Sequence, residues 1–274
     1  MSNERPLILA TCDDGIQSPG LHAAVRALLP LGDVIVSAPS SQQSGAGRSL
    51  PAYHDGAIHQ VDLHLNGHRV PAYTLDGSPA QAVLYALIDL LQRRPALCVS
   101  GINFGENMGS GVSTSGTVGA ALEAADEGVT ALAVSLETEK KYHYRHSDEI
   151  DFEAAEFFTR LFAQRLLAQQ MPGDVHVLKV DIPADATPHT PWQTTRLSRQ
   201  RYFQPLPSGR RHLAEKRRLG YDMIVDYDTL EPDSDIHAVR VDRVVSVTPL
   251  SLDMTSRVTL DRVETMLRRP GEES

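Results

Sequence analysis

Cysteine is nearly absent: Cys12 and Cys98 are the only two in 274 residues. Both sit in apolar, strand-like runs, and two thiols are too few for a disulfide scaffold. Free, buried thiols in a reducing compartment are expected. Long hydrophobic runs are lacking too. The opening MSNERPLIL has no extended apolar core of the kind a secretory signal carries, and no segment approaches membrane-spanning length. A cytoplasmic protein with no membrane partner is the expectation. Positive charge is in deficit, with a formal net charge of -9, which disfavours nonspecific nucleic-acid binding. An acidic chain still binds phosphate where a metal or a nest of N–H groups supplies the positive field. No internal repeat is present. What remains is ordinary globular composition, 41% hydrophobic and 22% charged, long enough for one large α/β domain with or without an appendage.

The apolar pattern alternates between strand and helix. Leu7 to Ala10 is a short continuous apolar run, as in a strand buried on both faces. Ser18 is placed to cap a helix with Pro19 in its first turn, and Leu21, Ala24, Val25, Leu28 and Leu29 form one stripe. DVIVSAP follows as a second buried strand, completing a βαβ unit and predicting a parallel sheet. ALCVSGIN, TVGAALEAADEG and TALAVSL repeat the scheme. A helix striped by Ala154, Phe157, Phe158, Leu161 and Phe162 then leads to the strand VHVLKVDIP. The fold class expected is α/β: a Rossmann-like, open, mostly parallel sheet with helices on both faces. From about residue 186 the texture changes. PADATPHTPWQ breaks regular structure, GRRHLAEKRRLG is basic, and alternation over Ala238 to Asp242 reads as half-exposed antiparallel strand. TLDRVETMLRR reads as a short helix. The division expected is a core over residues 1–190 and an extension over residues 191–274.

In such a sheet, ligands bind beyond the C-terminal strand ends. Three polar loops fall there: CDDGIQSPG, APSSQQSGAG and SGINFGENMGSGVSTSGTV. The paired carboxylates of Asp13 and Asp14 repel one another unless they converge on a cation. Hard oxygen donors suit Mg²⁺, Mn²⁺ or Ca²⁺. A serine of the second loop and an asparagine of the third would complete the protein ligands. In the third loop Gly101, Gly105, Gly109, Gly111 and Gly116 let backbone N–H groups approach an anion, and Ser115 to Thr117 open a helix whose N-terminus favours one. Taken singly, each loop is a turn or a cap; three on one sheet edge describe a phosphoryl site.

The order CDDGIQSPG, APSSQQSGAGRSL, LDGSPAQAV, SGINFGENMGSGVSTSGTVGAALEA and SDIHAVRVDRVVSVTPLSLD resembles the SurE family, from Leu7 to about Asp253. These are stationary-phase survival proteins acting as metal-dependent 5′/3′-nucleotidases. The resemblance implies metal ligation by Asp13, Asp14, Ser44 and Asn103, and a phosphate pocket at Asn107, Ser115, Gly116 and Thr117. Asp13, Asp14 and Asn107 would take part in catalysis, with the base or nucleophile unassigned. The substrate implied is a nucleoside monophosphate, the cofactor a divalent cation. The resemblance also implies a C-terminal hairpin extension exchanged between subunits of a homo-oligomer, dimer or tetramer. The chain departs from the family pattern at Cys12, where asparagine is usual, and at Ser78, where threonine is common. Its loop tip ENMGSGVST also differs, which bears on substrate preference. Two other functions compete: a broader phosphomonoesterase or exopolyphosphatase, and a non-catalytic nucleotide-binding homologue.

Three features carry less. His54, His59, His64 and His68 imitate a metal cluster, but AIHQVDLHL alternates as a solvent-facing strand. Arg210, Arg211, Lys216, Arg217 and Arg218 read as a solvated arm. Cys12 is a poor nucleophile beside two carboxylates.

Overall fold

Continuous apolar runs form strands here because both faces of the sheet are covered. The computed structural model describes residues 4–52, 56–147, 149–217 and 219–268. In chain order it contains β1 (Leu7–Thr11), α1 (Pro19–Leu28), β2 (Asp33–Pro39), β3 (Ile58–Leu65), β4 (His68–Leu75), α2 (Pro79–Tyr85), β5 (Leu97–Phe104) and α3 (Gly116–Asp126). There follow β6 (Ala131–Leu136), α4 (Glu153–Ala168), β7 (Val177–Ile182), β8 (Trp192–Thr194), β9 (Phe203–Leu206), β10 (Gly220–Met223), α5 (Asp235–His237), β11 (Val245–Leu250) and α6 (Leu260–Leu267). Nine strands make one sheet in the order β3-β4-β2-β1-β5-β6-β7-β11-β8. Its six central strands, β4 to β7 in that order, are mutually parallel. β3 is antiparallel to β4, and β11 is antiparallel to β7. The expected α/β class and its mostly parallel sheet are found.

Successive residues of one strand serve opposite cores. Ile8 and Ala10 join a cluster with Leu21, Val25, Phe158 and Phe162 of α1 and α4. Leu9 joins Val83 of α2 and Ala120, Ala121 and Ala124 of α3 on the other face. The period-2 geometry of a strand therefore places every residue of β1 in an apolar interior. The stripe read on α4 is less regular than its spacing suggests: Phe158 and Phe162 are buried, whereas Phe157 is 39% exposed.

Residues 191–274 contribute in two ways. β8 and β11 extend the main sheet, while β9 and β10 form a separate antiparallel hairpin. The strand read over Ala238 to Asp242 is corrected: α5 and a π-type turn occupy Asp235–Asp242, and β11 begins at Val245. Five alternating residues are too few to outweigh the helical start at Ser234, whose hydroxyl accepts from His237 N–H. Ser18 stands at the α1 N-cap with Pro19 after it, but its hydroxyl makes no capping bond. The terminal helix forms as expected, as α6. His59, His64 and His68 are exposed on β3 and β4, while His54 and Arg218 lie outside the described residues.

Candidate active site

The register between β1 and β5 brings the first and third loops together. Thr11 lies opposite Ser100, so Asp13 and Asp14, just past the end of β1, come beside Asn103 near the end of β5, which still pairs with Ser135 of β6. Strand order reverses at β1, with β2 on one flank and β5 on the other, which is where open α/β sheets bind ligands. After Thr11 the chain turns at once. Gly15 N–H donates to Cys12 O at 3.2 Å, and Gly15 holds the turn with φ +91°, a conformation that favours glycine. The second loop is tied to this turn by Gln43 N–H donating to Asp13 O at 2.7 Å, and to the third by Gly47 N–H donating to Thr114 O at 3.0 Å. A register shift in the β5–β6 pairing between Ser100 and Asn103 re-aims the end of β5.

Both aspartates are buried, Asp13 at 4% and Asp14 at 1% exposure. The Thr117 hydroxyl donates to Asp13 Oδ1. Asp14 Oδ1 accepts from Gln42 Nε2 at 2.7 Å, and Asp14 Oδ2 accepts from Phe104 N–H at 2.9 Å. Gly116 packs on Asp13 so closely that an added Cβ would stand 2.7 Å from Asp13 Cβ. Among the described residues neither carboxylate has an ion-pair partner. Burial raises the pKa of both, and the charge of Asp14 raises Asp13 further. Two buried acids with no counter-charge fit a cation.

The donor chemistry fits a hard one. Cys12, Asp13 and Asp14 offer ligand atoms within 4.8 Å of one another, the one such group among the described residues. Burial first, then the two carboxylates, hold the Cys12 thiol well above its ordinary pKa. It therefore stays protonated and faces Asp14 Oδ2 at 3.8 Å and Ile102 O at 3.9 Å. That leaves oxygen donors. The Asn103 amide nitrogen donates to Gly105 O at 2.6 Å, which leaves its oxygen as an acceptor.

A cavity of about 270 Å³ opens above these groups, and Asp13, Ser44, Asn103, Asn107 and Ser115 line it. Asp14 sits beside it in the turn, and Gly116 and Thr117 lie beneath Asp13. Thr117 spends its hydroxyl on Asp13, so its means of meeting an anion is its backbone N–H in the first turn of α3. Ser115 accepts from Val118 N–H at 3.1 Å, which leaves its own O–H hydrogen to donate. Asn107 donates one amide hydrogen to Ser135 Oγ at 2.8 Å and keeps the other.

Several contributors were not visible in the sequence. Lys179 is fully buried between Asp181 and Asp235. Asp181 Oδ1 accepts from Asn107 N–H at 2.7 Å, and Asp235 Oδ2 accepts from Gly109 N–H at 3.0 Å. This buried ion triad fixes both ends of the Asn107 turn. Glu106, His143, Tyr144, Phe203 and Tyr221 also line the cavity. The one signal available was the period-2 placement of Phe203 and Pro205 opposite Tyr221 and Met223, which puts them on one hairpin face.

The model of the family Survival protein SurE matches residues 8–204. The chain is 38% identical to the 5′-nucleotidase SurE of Thermococcus gammatolerans over 265 residues, 95% of each chain. It is 38% identical to that of Methanocella arvoryzae over 269 residues, 95% of this chain and 97% of the relative. Among solved structures, the SurE protein of Aquifex aeolicus matches with a TM-score of 0.75 at 28% identity, covering 95% of this chain and 99% of that one. With its paired aspartates at the turn after β1 and near end-to-end similarity to these relatives, the chain belongs to the SurE family.

Proposed function

We propose that this protein is a phosphomonoesterase that hydrolyses nucleoside monophosphates to nucleoside and inorganic phosphate. Asp13, Asp14, Ser44 and Asn103 would hold a divalent cation, Mg²⁺ or Mn²⁺. When bound, such an ion neutralises phosphoryl charge and activates water for attack on phosphorus. One observation carries the reading: Asp13 and Asp14 are buried without an ion-pair partner among the described residues, and Asp13, bonded to Thr117 in the first turn of α3, shares one cavity with Ser44, Asn103, Asn107 and Ser115.

The chain's own groups then divide the work. Asp13 is held by Thr117 and Asp14 by Gln42 and Phe104 N–H, so both carboxylates are oriented before anything binds. Asn107 and Ser115 donate side-chain hydrogens to phosphoryl oxygens, and the N–H groups of Gly116 and Thr117 add the positive end of the helix. The Lys179 triad keeps Asn107 in place through Asp181. We further assign residues 1–190 to the catalytic core. Residues 191–274 form an extension that pairs copies of the chain as a dimer or tetramer. The exposed apolar residues of α6, Leu260, Met266 and Leu267, support that assignment. A cytoplasmic location accords with the free, buried Cys12 and Cys98, and no helix among the described residues is long and apolar enough to cross a membrane.

Phosphate release from a panel of 5′- and 3′-nucleotides, polyphosphate and simple phosphomonoesters tests the reading. Release led by nucleotides supports it. Release led by polyphosphate would make the protein an exopolyphosphatase. Nucleotide binding with no release from any substrate would make it a binding protein.

A further inference from the structure

The cavity has two unlike walls. Oxygen and amide groups of the three loops form one. The other is aromatic: His143 and Tyr144 from the segment after β6, and Phe203 and Tyr221 from the β9–β10 hairpin. The hairpin stands apart from the main sheet, yet it turns these rings inward. The rings are set with care. His143 and Tyr221 are parallel within 4° at a centroid distance of 6.0 Å. Phe203 meets Tyr221 at 88° and 5.5 Å, and Tyr144 meets it at 65° and 6.1 Å. Tyr144 is 62% exposed, so core packing does not account for it.

Hydrogen bonds hold His143 in the wall, and the Lys140 ammonium, which donates to Tyr221 O, stands 5.0 Å from the Tyr221 ring centroid. Tyr221 Oη lies 2.7 Å from His143 Nδ1, and His143 Nε2 lies 3.2 Å from Thr138 O. A carbonyl only accepts, so Nε2 carries a hydrogen, and in the neutral ring Nδ1 then accepts from the tyrosine. Burial also lowers the His143 pKa, in favour of the neutral ring. Gly105, with φ +105°, lies directly under that ring; an added Cβ would stand 3.0 Å from Nε2. Gly105, whose carbonyl accepts from the Asn103 amide, thus also seats the aromatic wall.

The geometry points to a nucleobase subsite: the base of a nucleoside monophosphate packs against Tyr144 and Tyr221, with His143 and Phe203 backing them. A flat, uncharged heteroaromatic ring suits π-faces that carry no carboxylate among them, and aromatic side chains recognise bases of any sequence by stacking. The inference rests on the nucleotidase reading and assigns it a specificity determinant. The base is held by the hairpin and the phosphate by the loops. Substrates that lack a base lose the contribution of the hairpin.

The test compares 5′-AMP with ribose 5-phosphate, which keeps the sugar and phosphate and deletes the base. In the wild-type protein kcat/KM should favour 5′-AMP by about tenfold or more, a size typical of one base on an aromatic platform. In Tyr144→Ala and in Tyr221→Leu, which keeps apolar bulk in the hairpin, that preference should shrink to about threefold or less, through KM more than kcat. A wild-type preference near one overturns the subsite, as does a preference unchanged in both variants at wild-type melting temperature. Saturation-transfer NMR with adenosine separates this failure from that of the nucleotidase reading. Adenosine bound by the wild type and lost in both variants, with no phosphate released from either ester, keeps the subsite and removes the hydrolytic reading. Phosphate release from both esters with no adenosine bound does the reverse.

Discussion

Tyr202 donates its phenolic hydrogen to Oε1 of Glu106 across 2.5 Å, inside the wall of the candidate active site. Glu106 is 1% exposed, and its other oxygen, Oε2, has no hydrogen-bond partner among the described residues. Burial, aided by the charges of Glu137 and Asp181, pushes its pKa up to about 7 despite the tyrosine. The folded protein therefore prefers the protonated acid, while the unfolded chain ionises near the ordinary 4.5. The unfolded state gains by losing its proton first, so Glu106 withdraws stability as pH rises from about 4.5 to about 7. Glu106→Gln mimics the neutral acid and should gain on the wild type over that range, by roughly 1–3 kcal/mol at pH 8 relative to pH 4. Melting of both proteins in chelator at the two pH values checks this. An equal difference at both would show that Glu106 is not held neutral.

Asp14→Asn should abolish turnover and spare the fold. The asparagine oxygen can keep the Phe104 N–H bond, and a flip of the Gln42 amide lets it accept from the new NH₂ at the cost of the present Gln42 bond to His143 O. Removing one of two adjacent buried negative charges also relieves repulsion when no cation is bound. In chelator the variant should melt no lower than the wild type. A variant with wild-type kcat would remove Asp14 from the site.

Cys12→Asn should keep activity at or above the wild-type level. One thiol now serves both Asp14 Oδ2 and Ile102 O at long range, 3.8 and 3.9 Å. An amide NH₂ has two hydrogens for those two acceptors. A tenfold fall in kcat/KM, about 1.4 kcal/mol, would mean that the buried cysteine has a role of its own.

What was legible in the sequence follows from range. β1, β2, β5 and β6 were readable because burial on both faces leaves an unbroken apolar run, and the aspartates because they interrupt it. Ser115 and Thr117 were readable from their place at a helix start, while Asn103 was singled out from the asparagines of its loop only by the family resemblance. The partners that fix them were not. His143 meets Tyr221 across 78 residues, and Lys179 meets Asp235 across 56. No local period encodes such pairs. The turn at Ala238–Asp242 was misread because its alternation is short and its cap, Ser234, lies outside the alternating stretch.

Assembly is open to direct measurement. α6 leaves Leu260, Met266 and Leu267 each more than 70% exposed, and Met254 before it is 91% exposed. Apolar surface of this kind is normally covered by another chain. Light scattering at micromolar concentration should give a mass of two or four chains. A particle near 30 kDa would show that one chain is enough.

The most direct test of the cation site is phosphate release from 5′-AMP by metal-stripped protein, as Mn²⁺ or Mg²⁺ is added back at pH 6 and pH 8. Burial raises the pKa of Asp13 and Asp14, so protons compete with the cation at the lower pH. Turnover should be absent in excess chelator and return with added metal, and half-maximal activity should need more metal at pH 6 than at pH 8. Full turnover in chelator after exhaustive metal removal would contradict a cation held by Asp13 and Asp14.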